Sequence, residues 1–126
     1  MNKKIYTNNA PEPVGPYSQA ILSDNHTLYI SGQIPLNPKT GKLVMQSVKE
    51  QTKQVMENLK QLLFKAGMDF SDVVKTTIFL TDMKSFTEVN EVYGSYFIDN
   101  FPARETVQVS QLPKNVDVEI SMIAYK

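Results

Sequence analysis

Apolar residues recur along the chain at two spacings, and the change from one spacing to the other separates strands from helices. Between Val48 and Ala66 the apolar positions fall on one face of an α-helix. Ser47 and Glu50 form a capping-box pattern at the start, and Gly67 stands where a left-handed residue often ends a helix. We therefore predict a first helix between Ser47 and Gly67.

Alternating or β-branched apolar runs predict five strands. Two of them precede the helix and are separated by the turn formers SDNH, which favours a hairpin. A third follows the helix, and two more close the chain. The predicted strands are residues 17–22, 27–34, 72–80, 104–109 and 116–125.

A second helix is predicted between the third and fourth strands. Asp82 or Ser85 can cap its start, and Gly94 weakens it slightly. Its apolar face comprises Phe86, Val89, Tyr93, Tyr96 and Phe97. The element order indicates an α+β fold, in which right-handed crossovers place both helices on one face of the sheet.

The other face of this sheet has no helix to cover it. In the strand 72–80, Val74, Ile78 and Leu80 lie on one side, whereas Val73 and Phe79 lie on the other. The last strand is two-sided in the same way, with the row Val116, Val118, Ile120 and Met122 opposite Ile123 and Tyr125. We therefore expect the free face to be buried against other copies of the chain.

Composition narrows the possible functions. The length of 126 residues is typical of one domain, spanning residues 1–126, and 13 basic residues balance 13 acidic ones. Nucleic-acid binding is therefore not expected, because it normally requires a cationic surface. The chain has no cysteine and no apolar run typical of a signal peptide or a membrane span, so we expect a cytoplasmic protein without disulfides.

Few side chains remain as candidates for chemistry. His26 is the only histidine, and it lies in the predicted turn beside Asp24 and Asn25, where it is expected to be an ordinary surface residue. Catalytic systems that pair histidine with serine or cysteine are therefore excluded. The glycine pattern of SGQIP does not form a phosphate loop either.

Three polar residues do not fit their predicted elements, and each has a structural alternative. Asn90 falls within the apolar stripe of the second helix, where its amide could bind a ligand or a neighbouring strand. Glu119, in the last strand, could instead belong to a solvated sheet face. Arg104 shares a strand row with Thr106 and could be an edge-strand charge that discourages aggregation.

Several motifs occur together in the order and spacing of a known family. They are GPYSQA, SGQIPLNPKTG, EQTKQVMENLK, VVKTTIFLTDM, VNEVYGSYF, FPAR and LPKNVDVEI. With them the chain resembles the RidA/YjgF/YER057c/UK114 family, in its RidA-like branch, almost from end to end. The resemblance implies a chorismate-mutase-like subunit with a mixed six-stranded sheet, two helices on one face, and assembly as a homotrimer with clefts between subunits.

The same resemblance implies an activity. RidA-like proteins hydrolyse reactive 2-imino acids, such as 2-iminobutanoate and 2-iminopropanoate, to 2-keto acids and ammonia, which protects pyridoxal-phosphate enzymes from 2-aminoacrylate. It implies no cofactor, no metal and no membrane partner. The alternative is a regulatory trimer that binds a small carboxylate without catalysis, or a translation inhibitor or ribonuclease.

The resemblance also assigns roles to residues. Arg104 would bind the substrate carboxylate, and Glu119, its expected neighbour in the cleft, would activate the attacking water. The residues expected to line or support the substrate site are Tyr17, Ser31, Gly32, Asn90 and Thr106. Thr106 stands where many relatives have cysteine, and Ser121 stands where many have a second glutamate, so the preferred substrate is left open.

Overall fold

Six strands form one mixed sheet in the computed structural model, which describes residues 1–126. The elements are β1 (Asn2–Ile5), β2 (Ala20–Ser23), β3 (Thr27–Gln33), α1 (Val48–Lys65), β4 (Val73–Leu80), α2 (Phe86–Gly94), β5 (Ala103–Gln108) and β6 (Val118–Tyr125). Their order in the sheet is β1-β2-β3-β6-β4-β5, and only β4 and β5 run parallel. The predicted α+β class, with two helices and a mixed six-stranded sheet, is confirmed.

The hydrophobic pattern of the sequence did not predict strand β1. In β1 only Ile5 is buried, while the polar residues Asn2, Lys3 and Lys4 are exposed. The strand forms because its backbone pairs with β2 along its whole length, from Asn2 opposite Ser23 to Ile5 opposite Ala20. An edge strand held by backbone pairing and carrying lysines shows little alternation in its sequence.

Helix α1 begins and ends where predicted, although only the serine half of the capping box forms. The Ser47 hydroxyl accepts a hydrogen bond from the Glu50 N–H at 3.1 Å, and Gly67 has a left-handed φ of +76°. Five apolar side chains of α1 are fully buried against the sheet: Val55, Met56, Leu59, Leu62 and Leu63. Neither helix combines the length and hydropathy needed to cross a membrane.

Helix α2 is shorter than its apolar pattern suggests. It begins at Phe86, after a short turn capped by Asp82, and it ends at Gly94. Tyr96 and Phe97 therefore lie beyond the helix, contrary to the prediction. They still pack inward, because both rings contact Phe70, with centroids 5.4 and 5.5 Å away.

The hydrophobic core lies between the helices and one face of the sheet. The predicted row of β6 is correct, since Val118, Ile120 and Met122 are all buried. Val74 was assigned to the wrong face: it is 50% exposed, whereas Val73 is buried. The cause is a bulge between Val73 and Lys75, where the pairing with β6 shifts by one residue.

The opposite face of the sheet carries apolar side chains that nothing in the chain covers. Tyr29, Val107 and Tyr125 on this face are 51%, 41% and 57% exposed. Phe79 and Ile123 lie beside them and are half-buried. We call this surface the helix-free face, in contrast to the helix-covered face that forms the core.

The loop before β2 is held by one buried glutamine. Strand β2 begins at Ala20 rather than at residue 17, and the side chain of Gln19 is only 2% exposed. Its amide nitrogen donates to the carbonyl groups of Thr7, Ala10 and Pro11, and its oxygen accepts from the Thr7 N–H. Gln19 thus replaces the backbone partners that this loop lacks.

Replacing Gln19 with alanine should destabilise the protein by about 1–3 kcal/mol, because the loop carbonyl groups lose their donor while they stay partly buried. Urea unfolding at one fixed protein concentration measures the change. The matched control is Gln111→Ala, since Gln111 is exposed and its amide bonds only to Asn115. Equal stabilities of the two variants would contradict the assigned role.

Candidate active site

Arg104 is the only arginine of the chain, and it projects from the edge strand β5. It pairs with Thr76 in the parallel ladder, so its side chain lies on the helix-covered face. The guanidinium carbon is 5.2 Å from the centroid of the Tyr93 ring and 5.6 Å from that of Phe86. These are cation–π distances, so two aromatic rings of α2 hold the charged group.

Arg104 has no anionic partner within the chain. The three ion pairs join other groups: the N-terminus with Asp24, Lys49 with Glu91, and Lys75 with Glu105. A half-buried guanidinium normally finds a carboxylate, because losing water at a charged group is costly. The N–H groups of Arg104 are therefore available to an acceptor from outside the chain.

A cavity of about 280 Å³ opens beside Arg104. Its lining consists of Asn90, Tyr93, Gly94, Phe101, Pro102 and Arg104. Asn90 is half-buried and faces this cavity, and its side chain does not bind a neighbouring strand, which was the structural alternative. The size and mostly apolar lining suit a small organic acid.

Thr106 lies two residues after Arg104 on the same face of β5, opposite Ile78. Its hydroxyl oxygen is the one buried side-chain polar atom in the chain without a hydrogen-bond partner. A buried unpaired hydroxyl costs about 1–3 kcal/mol. Such a cost is offset if a ligand or another chain completes the hydrogen bond.

Glu119 projects from β6 on the helix-free face, opposite Phe79. It makes no ion pair, and burial raises the pKa of its carboxyl group above the usual value. Gly32 lies directly beside it: a Cβ atom built on Gly32 would be 2.8 Å from the carboxyl carbon of Glu119. A side chain at position 32 would displace this carboxylate, so Gly32 leaves room for its observed position.

Ser31 and Tyr17 lie near Gly32, where the pairing of β3 with β6 is irregular. The Ser31 hydroxyl donates to the Ser18 carbonyl at 2.6 Å, so it anchors the segment that carries Tyr17. Tyr17 is 47% exposed and lines a narrow cleft together with Gly32. Its hydroxyl accepts from the Val14 N–H at 3.3 Å.

The candidate residues thus form two groups. The arginine half-site consists of Arg104, Asn90 and Thr106, with Tyr93 and Phe86 behind the guanidinium. The glutamate half-site consists of Tyr17, Ser31, Gly32 and Glu119.

The two half-sites lie on opposite faces of one sheet, with β4 between their strands. Arg104 and Glu119 are therefore not neighbours within one chain. The expected pairing of the two residues in a cleft between subunits stays a prediction.

Two side chains of the arginine half-site were missed as functional candidates. Tyr93 and Phe86 were assigned only to the apolar face of α2, and nothing in their spacing distinguishes a ring that contacts Arg104 from one that fills the core. His26, by contrast, lies in an exposed turn as predicted, between the left-handed residues Asp24 and Asn25 and the strand β3. No three acidic or histidine side chains are grouped as they would be to hold a metal ion.

Comparison with known proteins identifies the family. The profile of the family described as Endoribonuclease L-PSP matches residues 7–126. A RutC family protein of Pyrococcus horikoshii is 53% identical over 126 residues, covering 100% of this chain and 99% of the relative. The 2-iminobutanoate/2-iminopropanoate deaminase of Homo sapiens is 48% identical over 124 residues, covering 98% of this chain and 90% of the relative.

A solved structure has the same fold. The crystal structure of YyfA from Yersinia pestis, a protein of the conserved Rid family, matches with a TM-score of 0.96 at 48% identity and covers 100% of both chains. The chain belongs to the Endoribonuclease L-PSP family, which is the RidA/YjgF family that its motifs resemble.

The unusual environment of Glu119 should be visible in its titration. By carbon-detected NMR, its carboxyl group should titrate above the usual range for glutamate, because burial disfavours its charged form. Glu105 is the internal control: hydrogen bonds from Thr77 and Lys75 lower the pKa of that carboxyl. In Gly32→Ala the displaced Glu119 carboxylate should return toward the usual value. A Glu119 titration at or below that of Glu105 would contradict this description.

Proposed function

We propose that the protein hydrolyses reactive 2-imino acids, such as 2-iminobutanoate and 2-iminopropanoate, to 2-keto acids and ammonia. The observation that carries this proposal is the half-buried guanidinium of Arg104, which has no anionic partner in the chain. An arginine held in this way is suited to receive the carboxylate of a small acid. The human, rat and mouse relatives, which are 48%, 48% and 49% identical to this chain, are named 2-iminobutanoate/2-iminopropanoate deaminase. These names support the choice of substrate.

Arg104 anchors the substrate. Its planar fork forms two parallel hydrogen bonds with the substrate carboxylate, a geometry that lysine does not offer. The Asn90 amide faces this cavity and supplies a further polar contact to the substrate. The unpaired Thr106 hydroxyl lies on the same face of β5 as Arg104 and is assigned as a second one. The apolar walls of the cavity, Phe101 and Pro102, accommodate its short side chain.

Glu119 activates the attacking water. The ionised carboxylate accepts a proton from water as the water oxygen bonds to the protonated imine carbon, giving a carbinolamine. Glu119 then gives this proton to the nitrogen. As the carbon–nitrogen bond breaks and ammonia leaves, the Glu119 carboxylate takes the hydroxyl proton and the keto group forms. Because burial raises the pKa of Glu119, its basicity is closer to that of a proton acceptor working near neutral pH.

The complete site forms between copies of the chain. One sheet separates Arg104 from Glu119, so a second copy has to supply the partner residue. Arg104 lies on the edge strand β5, which another chain can approach, and the exposed apolar residues of the helix-free face favour burial against copies. We assign a homotrimer with one such cleft at each subunit boundary, as the family resemblance implies.

The activity is tested with a threonine dehydratase as the source of the imine and semicarbazide as a trap. The wild-type protein should accelerate keto-acid release in competition with the trap. Arg104→Ala should lower kcat/KM by an amount equivalent to about 2–5 kcal/mol, because the carboxylate loses its anchor. Lys114→Ala removes an exposed cation elsewhere and serves as the control.

Two outcomes would contradict these assignments. If the wild-type protein binds a 2-keto acid but does not accelerate its release from the imine, the protein is the alternative carboxylate-binding regulator rather than an enzyme. If Arg104→Ala hydrolyses the imine at the wild-type rate, the assigned role of the arginine is wrong.

The composite site is tested by mixing two inactive variants. Arg104→Ala and Glu119→Gln are unfolded together, refolded together, and assayed as hybrids. Random assembly should recover about a quarter of the wild-type activity, because a quarter of the subunit boundaries pair an intact arginine with an intact glutamate. Each variant refolded alone is the control, and mass spectrometry verifies that hybrids form. Inactive hybrids would show that both residues must come from one chain.

A further inference from the structure

We propose that Tyr93 is a positioning residue that orients the guanidinium of Arg104 for carboxylate binding. The inference rests on the proposed function, and it adds a residue whose pattern in the sequence indicates only core packing. It follows from the contacts of Tyr93 with two adjacent strands.

Tyr93 is tied to the strand position next to Arg104. Its hydroxyl donates to the Thr76 side-chain oxygen at 2.9 Å, and both residues are buried, with exposures of 3% and 0%. Thr76 is also the residue of β4 that pairs directly with Arg104 of β5. The hydrogen bond therefore fixes the aromatic ring relative to the backbone from which Arg104 projects.

The ring in turn restricts the guanidinium. The Arg104 guanidinium carbon lies 5.2 Å from the centroid of Tyr93. Phe86 is slightly more distant, at 5.6 Å, and it is 37% exposed with no polar group to tether it. Of the two rings, Tyr93 has the fixed orientation, and it determines where the guanidinium stands.

Positioning matters because Arg104 forms no ion pair in the chain that would fix its orientation. A long side chain loses considerable rotamer freedom when it is ordered, and an unrestrained arginine would lose that freedom on binding the substrate. A guanidinium already held against a ring avoids this loss. Removing the ring should therefore weaken carboxylate binding even though the charge is retained.

The test compares Tyr93→Leu, Tyr93→Phe and Tyr96→Leu. Tyr96 belongs to the same aromatic cluster and bonds to Glu57, but it does not contact Arg104, so its variant controls for lost packing. The dissociation constant for 2-oxobutanoate should rise about tenfold in Tyr93→Leu and about two- to threefold in Tyr93→Phe. It should stay at the wild-type value in Tyr96→Leu.

A double-mutant cycle separates positioning from general damage. In an Arg104→Ala background, Tyr93→Leu should cause no further loss of binding, because the group through which it acts is absent. A dissociation constant unchanged by Tyr93→Leu alone, or an equal additional loss without Arg104, would overturn the proposal.

The positioning role of Tyr93 can be measured even if the protein does not hydrolyse imino acids. Since Arg104 is the only arginine, its Nε–Hε group gives a single side-chain NMR signal in a labelled protein. Relaxation should show an ordered guanidinium in the wild type, in Tyr93→Phe and in Tyr96→Leu, and a mobile one in Tyr93→Leu. Failure of keto-acid binding by the wild type would reject the function, whereas equal mobility in all four proteins would reject the positioning role.

Discussion

The register that joins β4 to its two neighbours determines on which face of the sheet Arg104, Thr106 and Glu119 lie. On one side β4 pairs Thr76 with Arg104, and on the other it pairs Phe79 with Glu119. Because side chains alternate between the faces of a sheet, a one-residue slip of β5 would move Arg104 to the helix-free face, away from Tyr93. The core prevents such a slip, since it would also expose Thr106 and bury Glu105, which is charged and bound to Lys75.

The same constraint explains why the chain separates its two polar half-sites. Both helices lie on one face, so Arg104 can be held by rings from α2 only on that face. Glu119 lies on the other face, where it meets Gly32 of the adjacent strand β3. A carboxylate next to the guanidinium within one chain would neutralise it and occupy its donors. Because the sheet separates them, the Arg104 guanidinium and the Glu119 carboxylate do not pair with each other within the chain, and both can bind a ligand.

The sequence is most informative where side-chain pattern and local structure coincide. The ends of α1 and the buried row of β6 could be predicted because each depends on residues close together in the chain. The strand β1 and the placement of Val74 could not, because the first rests on backbone pairing with β2 and the second on a bulge in the pairing with β6. The pairing and the bulge each depend on two strands, so the sequence of one strand does not predict them.

For the candidate site, periodicity favours a solvated edge charge at Arg104, whereas the structure holds its guanidinium beside two aromatic rings. A charge that alternates with Thr106 on an edge strand is indistinguishable, in one sequence, from a charge that only prevents aggregation. Family motifs single out the arginine and the glutamate, but they contain no information on which face each one occupies. That information lies in the pairing of the strands, which places the two residues on opposite faces of the sheet and supports the proposal of a site between chains.

The hydrogen bonding of buried polar groups gives independent support to a binding site near Arg104 and Thr106. Elsewhere in the chain, buried amides are bonded: Gln51 binds Asp117, and Asn58 donates to the carbonyl groups of Ile34 and Leu36. The one buried orphan is the hydroxyl of Thr106, two residues from an arginine without a counter-ion. A fold that completes its other buried hydrogen bonds gives up stability at this place. Such a concentration of unmet hydrogen-bonding capacity is what a binding site requires, because a ligand can compete only for donors that the protein has not already used.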